Sequence, residues 1–323
     1  LEGTIGNDTL NGVSNDDGYD RLVASLGDDQ FVFSDGTETT YADVDYSKLV
    51  GTGITATVNY QANTGSVSKG ALGTDTLVGV ASVSNWGFGL ITTGENDTVT
   101  ITQGGENSYT WSGVYYRGGD DVVNVNVGPG SGTTRVAIRG DEAVVADLGT
   151  GAVDIGGGAG SVQINVIGAA DDTGSIELET SSAADSVIGS AFGDRFILGG
   201  GNDMLDAGDG FDMVRYDRSG VGPITADLGA GTVTGTWDGV AFSDMIANVE
   251  AIRGSRDGSD SLTAANTGSD LRGYGGDDTL IGGAGSDYLR GGDGGDTFVI
   301  GHGGYDVIDD FSISEGDMIV DVL

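Results

Sequence analysis

Residues 275–301 read GGDDTLIGGAGSDYLRGGDGGDTFVIG. An aspartate returns every nine residues, at Asp278, Asp287 and Asp296, and a large apolar residue follows each by two places, at Leu280, Leu289 and Phe298. The unit is G-G-x-G-x-D-x-U-x, with U apolar, and Gly282 to Arg290 match it at every position. Its glycines permit a sharp six-residue turn through backbone angles that a side chain would forbid. The remaining x-U-x is long enough for one short strand with U facing inward. Two units make a flattened coil of eighteen residues. That coil places Asp278 over Asp296 on one edge, and Asp287 on the other.

Stacked bare carboxylates repel, so this arrangement needs a cation. Carboxylates and turn carbonyls form a flexible, oxygen-only cage, which suits calcium better than magnesium with its demand for tight octahedral geometry. The metal-ligating candidates in this run are Asp278, Asp287, Asp296 and, after a ten-residue step, Asp306, with Gly276, Gly285 and Gly294 shaping the turns. A second run, FGDRFILGGGNDMLDAGDGFDMVRY (192–216), supplies Asp194, Asp203 and Asp212, with Gly201 and Gly210 before the last two and Phe196, Leu205 and Val214 inside. The opening stretch supplies Asp8, Asp20 and Asp29, with Leu10, Leu22 and Phe31 inside. Asp8 and Asp20 are twelve apart, so that site should be distorted or lost. Asp97, Asp121 and Asp260 also precede an apolar residue by two, but from irregular turns.

The tandem pattern resembles the calcium-binding nonapeptide of the repeats-in-toxin (RTX) family, a parallel β-roll. The longer blocks resemble the long repeats of secreted RTX proteins, and the closing segment, with Asp306-Val307-Ile308-Asp309-Asp310-Phe311, resembles the D-x-I-x-D-F stretch that caps such rolls. The resemblance implies an all-β fold, a right-handed parallel β-roll or β-helix solenoid with several calcium ions between its turns. It also implies a protein secreted to the exterior or cell surface of a Gram-negative bacterium by type I secretion, folding where calcium is abundant.

Composition agrees with a chain that needs such ions. The formal charge is −37, from 13 Lys+Arg against 50 Asp+Glu, with 62 glycines and only 37% hydrophobic residues. So acidic a chain repels itself and argues against nucleic acid and anionic membranes as partners. No apolar run reaches the ~18 residues a membrane helix needs, so no membrane insertion is expected. Cysteine is absent. The chain opens at Leu1 inside a repeat and is read as a segment of a longer protein.

Between the runs lie repeated blocks. Tyr46 to Ile54 and Tyr216 to Ile224 are both eight residues, and ADLGTGAV (146–153) mirrors ADLGAGTV (226–233). Three divergent modules follow, at 1–101, 102–190 and 191–323, the last with the cap, read as one continuous solenoid whose long blocks form wider coils. The aromatic cluster Tyr109, Trp111, Tyr115 and Tyr116 has two readings. It could stack on the sugar rings of a polysaccharide or cell-surface glycan, but such residues more often fill a core. Trp86 and Trp237 get the packing account, and His302, in a glycine turn, a solvent-facing one. Arg195, Arg215 and Arg290 should point outward and be screened by neighbouring acids.

No H-E-x-x-H helix, G-x-S-x-G elbow or second histidine occurs, so a catalytic role is not expected. The leading reading is a calcium-folded structural or adhesin-like module, for which self-association stays open. The alternatives are a glycan-contacting module of an alginate epimerase or lyase, or the export and refolding module of a protease or lipase.

Overall fold

The computed structural model describes all residues except 13–18, 34–40, 83–86, 104–109, 128–131, 168–175, 302 and 323. Tyr109, Trp86 and His302 lie outside the described residues. Among the described residues regular structure is almost entirely strand, with three short 3-10 turns. The chain divides into two compact units, residues 1–179 and 180–323.

In residues 180–323 the chain alternates between two sheets, and within the nine-residue runs it returns to each after eighteen residues. Strand Thr279–Ile281 pairs in parallel with Thr297–Ile300, so that Leu280 faces Phe298. On the other sheet Asp270–Gly275 pairs in parallel with Tyr288–Asp293, so that Leu271 faces Leu289. The arrangement is solenoid-like, as the nine-residue period predicts. Three-residue strands work because one inward residue per pass fills so thin a core. Leu280, Leu289 and Phe298 are each 0% exposed, and Phe196, Leu205 and Val214 are buried in the same manner.

Residues 1–179 follow the same plan with longer turns. Thr9–Gly12 pairs in parallel with Gln30–Phe33, which pairs with Thr74–Val78. Thr98–Thr102 pairs with Gly119–Asn126 at a register of twenty-four, Thr98 facing Val122. Leu22 and Phe31 are fully buried, while Leu10, in the first strand of its sheet, is only half-buried.

The long blocks do widen the coil, but they also depart from it. Each inserts one antiparallel strand into an otherwise parallel sheet. Thr64–Ser68 runs antiparallel to both Thr55–Asn59 and Thr74–Val78. Ala152–Ile155 does so between Val144–Asp147 and Gly160–Ile167. Thr232–Trp237 does so between Thr225–Asp227 and Val240–Ala247. The reversals use left-handed backbone at Asn63, Gly151 and Gly231, with φ of 56°, 75° and 72°, which is how tight hairpins match the twist of their strands. The mirrored ADLGTGAV and ADLGAGTV stretches are therefore hairpins.

Arginines line the outer face of one sheet in residues 180–323. Arg215, Arg253, Arg272 and Arg290 face one another on successive parallel strands. Adjacent guanidinium groups would repel, and acids intervene: Arg215 forks onto Asp217 at 3.0 and 2.8 Å, and Arg272 onto Asp270 at 2.9 and 2.8 Å. Arg290 lies 3.8 Å from Asp309 and 3.5 Å from Asp310. The expected screening pairs are present at Arg215 and Arg290.

Candidate metal centre

The sheets start at the turns, and each aspartate sits at the last turn position before its strand. Because strands stack in register, the aspartates stack too. In the C-terminal run the backbone N–H of Asp260 donates to Oδ1 of Asp278 at 2.7 Å, that of Asp278 to Asp296 at 2.9 Å, and that of Asp296 to Asp317 at 2.9 Å. On the opposite edge Ser269 donates to Asp287 at 2.8 Å, and Asp287 to Asp306 at 3.1 Å. In the preceding run Asp185 donates to Asp203 at 2.8 Å and Asp194 to Asp212 at 2.7 Å. One carboxylate oxygen per aspartate thus ties its turn to the preceding turn on the same edge, eighteen residues earlier within the runs and nineteen or twenty-one at Asp306 and Asp317.

The second oxygen decides the chemistry. In Asp287 it accepts from the Gly283 N–H at 2.8 Å, and in Asp194 from the Ser190 N–H at 2.7 Å. In Asp203, Asp212, Asp278 and Asp296 it is buried without a hydrogen-bond partner. A buried, unpaired carboxylate oxygen is costly. Burial, reinforced by the neighbouring acids Asp260 and Asp296, pushes the Asp278 carboxyl up to about 8. Burial and Asp244 with Asp185 raise Asp203 to about 8 as well, and burial with Asp194 and Glu250 raises Asp212 to about 7. Burial is also the main cause of the upward shifts at Asp287 and Asp296.

Glycine makes room around these oxygens. A Cβ on Gly273 would stand 1.9 Å from Oδ2 of Asp278, and one on Gly291 1.9 Å from Oδ2 of Asp296. The turn glycine two places before the aspartate serves a second purpose. Gly276 and Gly294 have φ of 105° and 134°, and a side chain there would strike the backbone of Gly258 or Gly276 on the preceding turn. Gly201, Gly210 and Gly285 make the same close backbone approach. Among the described residues no three acidic or histidine side chains converge on one point. An ion held here would therefore draw on one or two carboxylates and on turn carbonyls, an all-oxygen donor set of the kind a hard cation takes.

A model of the RTX calcium-binding nonapeptide repeat matches in four copies, over residues 179–214, 265–298 and 272–308. These stretches are RTX calcium-binding repeats. No curated protein matches the chain. The unpartnered oxygens of Asp203 and Asp212 lie in the first RTX stretch, and those of Asp278 and Asp296 in the overlapping later ones. The residues present fit the ion that the repeats bind.

The opening run behaves differently from the RTX stretches. Asp8 donates its N–H to Oδ1 of Asp29 at 3.0 Å, and Asp29 to Oδ1 of Asp75 at 2.9 Å, so a column does form across the insertion. Asp20 faces Ala42 on the next strand, which offers no carboxylate, yet its Oδ2 is also buried without a hydrogen-bond partner and burial raises its carboxyl. Of the irregular copies, Asp97 donates to Asp121 at 2.9 Å, and burial with Asp97 nearby raises the Asp121 carboxyl to about 8. Asp260 belongs to the C-terminal column.

The sequence reading missed Asp75, Asp185, Asp244, Glu250 and Asp317. The N–H of Asp203 donates to Asp244 at 3.1 Å, and that of Asp212 to Glu250 at 2.9 Å. A signal existed for the four aspartates, since Leu77, Val187, Ile246 and Ile319 follow them by two places. Asp185 and Asp244 lack the glycine two places before them, whereas Gly73 stands there for Asp75 and Gly316 directly precedes Asp317.

The aromatic cluster packs inward. Tyr115 is buried with Ile91 and Ala137, Trp111 leans on the same cluster, and Arg135 and Arg139 cover the Trp111 and Tyr115 rings at 5.0 and 4.9 Å. The Tyr116 hydroxyl donates within hydrogen-bond range of the Gly119 and Ala159 carbonyls, at 2.9 and 2.7 Å. Rings committed to strand packing leave no face for a sugar at Tyr115 or Tyr116. No helix among the described residues is long and apolar enough to cross a membrane.

Proposed function

We propose that this chain is a non-catalytic, calcium-folded structural module of a secreted bacterial protein. The observation that carries the reading is the set of buried, unpartnered Oδ2 atoms at Asp203, Asp212, Asp278 and Asp296, inside RTX repeats. Calcium between successive turns would be held by these oxygens, by Asp287 with Asp306 on the opposite edge, and by turn carbonyls. The ion supplies the positive charge that turns stacked acids into a cohesive column. Its binding free energy then becomes folding free energy.

The net charge of −37 supports the same reading, because self-repulsion destabilises the repeats when no ion is bound. A module that stays loose where calcium is scarce and compacts where it is millimolar is suited to export before folding. A scaffold or adhesin-like spacer follows from that, without a reaction assigned to it. Far-UV circular dichroism tests the proposal: millimolar calcium should raise the strand content of a spectrum that is partly coil-like in chelator, and equal magnesium should do so poorly. A strand-rich spectrum in excess chelator, unchanged by calcium, would overturn it.

A further inference from the structure

Lys69 is one of only two lysines in the chain, and it is fully buried, at 0% exposure. Its ammonium donates to Oδ1 of Asp75 at 2.5 Å and to the carbonyl of Ser25 at 2.7 Å, and lies 3.5 Å from Oδ2 of Asp29. Asp29 and Asp75 are stacked members of the opening aspartate column. The remaining oxygens are also satisfied. Oδ2 of Asp29 accepts from the Ser25 hydroxyl at 2.9 Å, and Oδ2 of Asp75 from the Tyr46 hydroxyl at 3.0 Å. No carboxylate oxygen of this rung is left without a donor.

Residues 180–323 contain the same rung without the lysine. Gln30–Phe33 pairs with Thr74–Val78 as Met204–Asp206 pairs with Val240–Ala247, so Asp29 corresponds to Asp203 and Asp75 to Asp244. Tyr216 donates to Oδ2 of Asp244 at 2.7 Å, as Tyr46 does to Asp75. Val67 faces Asp75 across the hairpin as Val233 faces Asp244, which puts Gly235 where Lys69 stands. Gly199 likewise takes the place of Ser25, four residues before the aspartate. With ammonium and hydroxyl both missing, Oδ2 of Asp203 is buried and unpartnered. The two rungs share acids, tyrosine and backbone pairing, and differ in whether the chain brings its own cation.

We propose that the Lys69 ammonium is the resident cation of the Asp29–Asp75 rung, so that this rung takes no calcium, and that removing it uncovers a latent divalent-cation site. That site would consist of Oδ2 of Asp29, Oδ1 of Asp75 and the Ser25 carbonyl. The inference rests on the calcium reading of the RTX repeats for its contrast, and it revises Asp29 from a metal ligand to an ammonium partner. One rung is then neutralised at any calcium concentration.

Amine acylation of the full chain, read by mass spectrometry with and without chelator, tests the first half. Lys48, with 55% of its side chain exposed, is the internal control. Lys69 should react at least roughly 100-fold more slowly than Lys48 in excess chelator as well as in calcium, because reaction requires the rung to open. Equal labelling of both lysines in chelator, with protection restored by calcium, would overturn it. Lys69→Ala tests the second half. The variant should bind one more calcium per chain than the parent by calorimetry, and should recover in millimolar calcium the stability it loses in chelator. An unchanged ion count, or a variant unfolded in both media, would overturn the latent site. If the repeats themselves took no calcium, the parent would show no binding at all while Lys69 could still be protected. The two failures are therefore distinguishable.

Discussion

Replacing Asp278 with asparagine should change stability in opposite directions with and without calcium. Asparagine keeps an oxygen to accept the Asp260 N–H, the 2.7 Å bond that ties two turns together. It removes the charge at Oδ2, which is buried and unpartnered beside the Gly273 backbone. At about pH 8.5, where a carboxyl raised to about 8 is mostly ionised, relieving that orphan should stabilise the chelated protein by about 2 kcal/mol. In calcium the substitution forfeits the ion. One site filled at a thousandfold its dissociation constant contributes about 4 kcal/mol, so the net effect there is a loss of about 2 kcal/mol. Urea unfolding at fixed pH, in excess chelator and in saturating calcium, measures both numbers. Equal destabilisation in the two media would refute the argument, because it would make Asp278 a turn residue whose charge meets no cation.

Two further outcomes follow from the same column. In chelator, acidification from pH 8 to pH 5 should stabilise residues 180–323. Asp203, Asp212 and Asp278 are raised to about 8, 7 and 8 from an ordinary value of 3.8, so the folded state holds more protons across that window and stability falls as pH rises through it. A calorimetric or denaturant series in chelator that shows stability rising from pH 5 to 8 would contradict this. Asp287→Ala should lower calcium affinity by tenfold or more, a factor worth about 1.4 kcal/mol, and destabilise the C-terminal run. Asp257→Ala, at an exposed residue outside the register, should change neither by more than about 0.5 kcal/mol; equal effects would remove Asp287 from the site.

The coil itself is legible because one rule, an apolar residue two places after an aspartate every nine residues, states both which side faces inward and where each strand begins. The pairing of Leu280 with Phe298 and the stacking of Asp278 on Asp296 follow directly. Strand direction is another matter. Alternating burial is identical for parallel and antiparallel neighbours, so Thr64–Ser68 and Thr232–Trp237 read as further turns of the coil until Asn63 and Gly231 show the reversal. Asp185 and Asp244 obey the inward rule but lack the flanking glycine, which made glycine too strict a filter; Asp75 keeps Gly73 two places before it, and Asp317 precedes an exposed Ile319. Lys69 was not legible at all. Its partners lie six residues ahead at Asp75 and forty-four behind at Ser25, a contact that only the hairpin brings together.

Hydrogen exchange at the amides of Asp260 and Asp278 reports on the column most directly, because both donate to the carboxylate of the next turn. Resolved by mass spectrometry, these amides should be protected roughly 100-fold or more in millimolar calcium relative to excess chelator. Equal protection in the two media would show that the stacked aspartates cohere without a divalent ion, and would contradict the account at its centre.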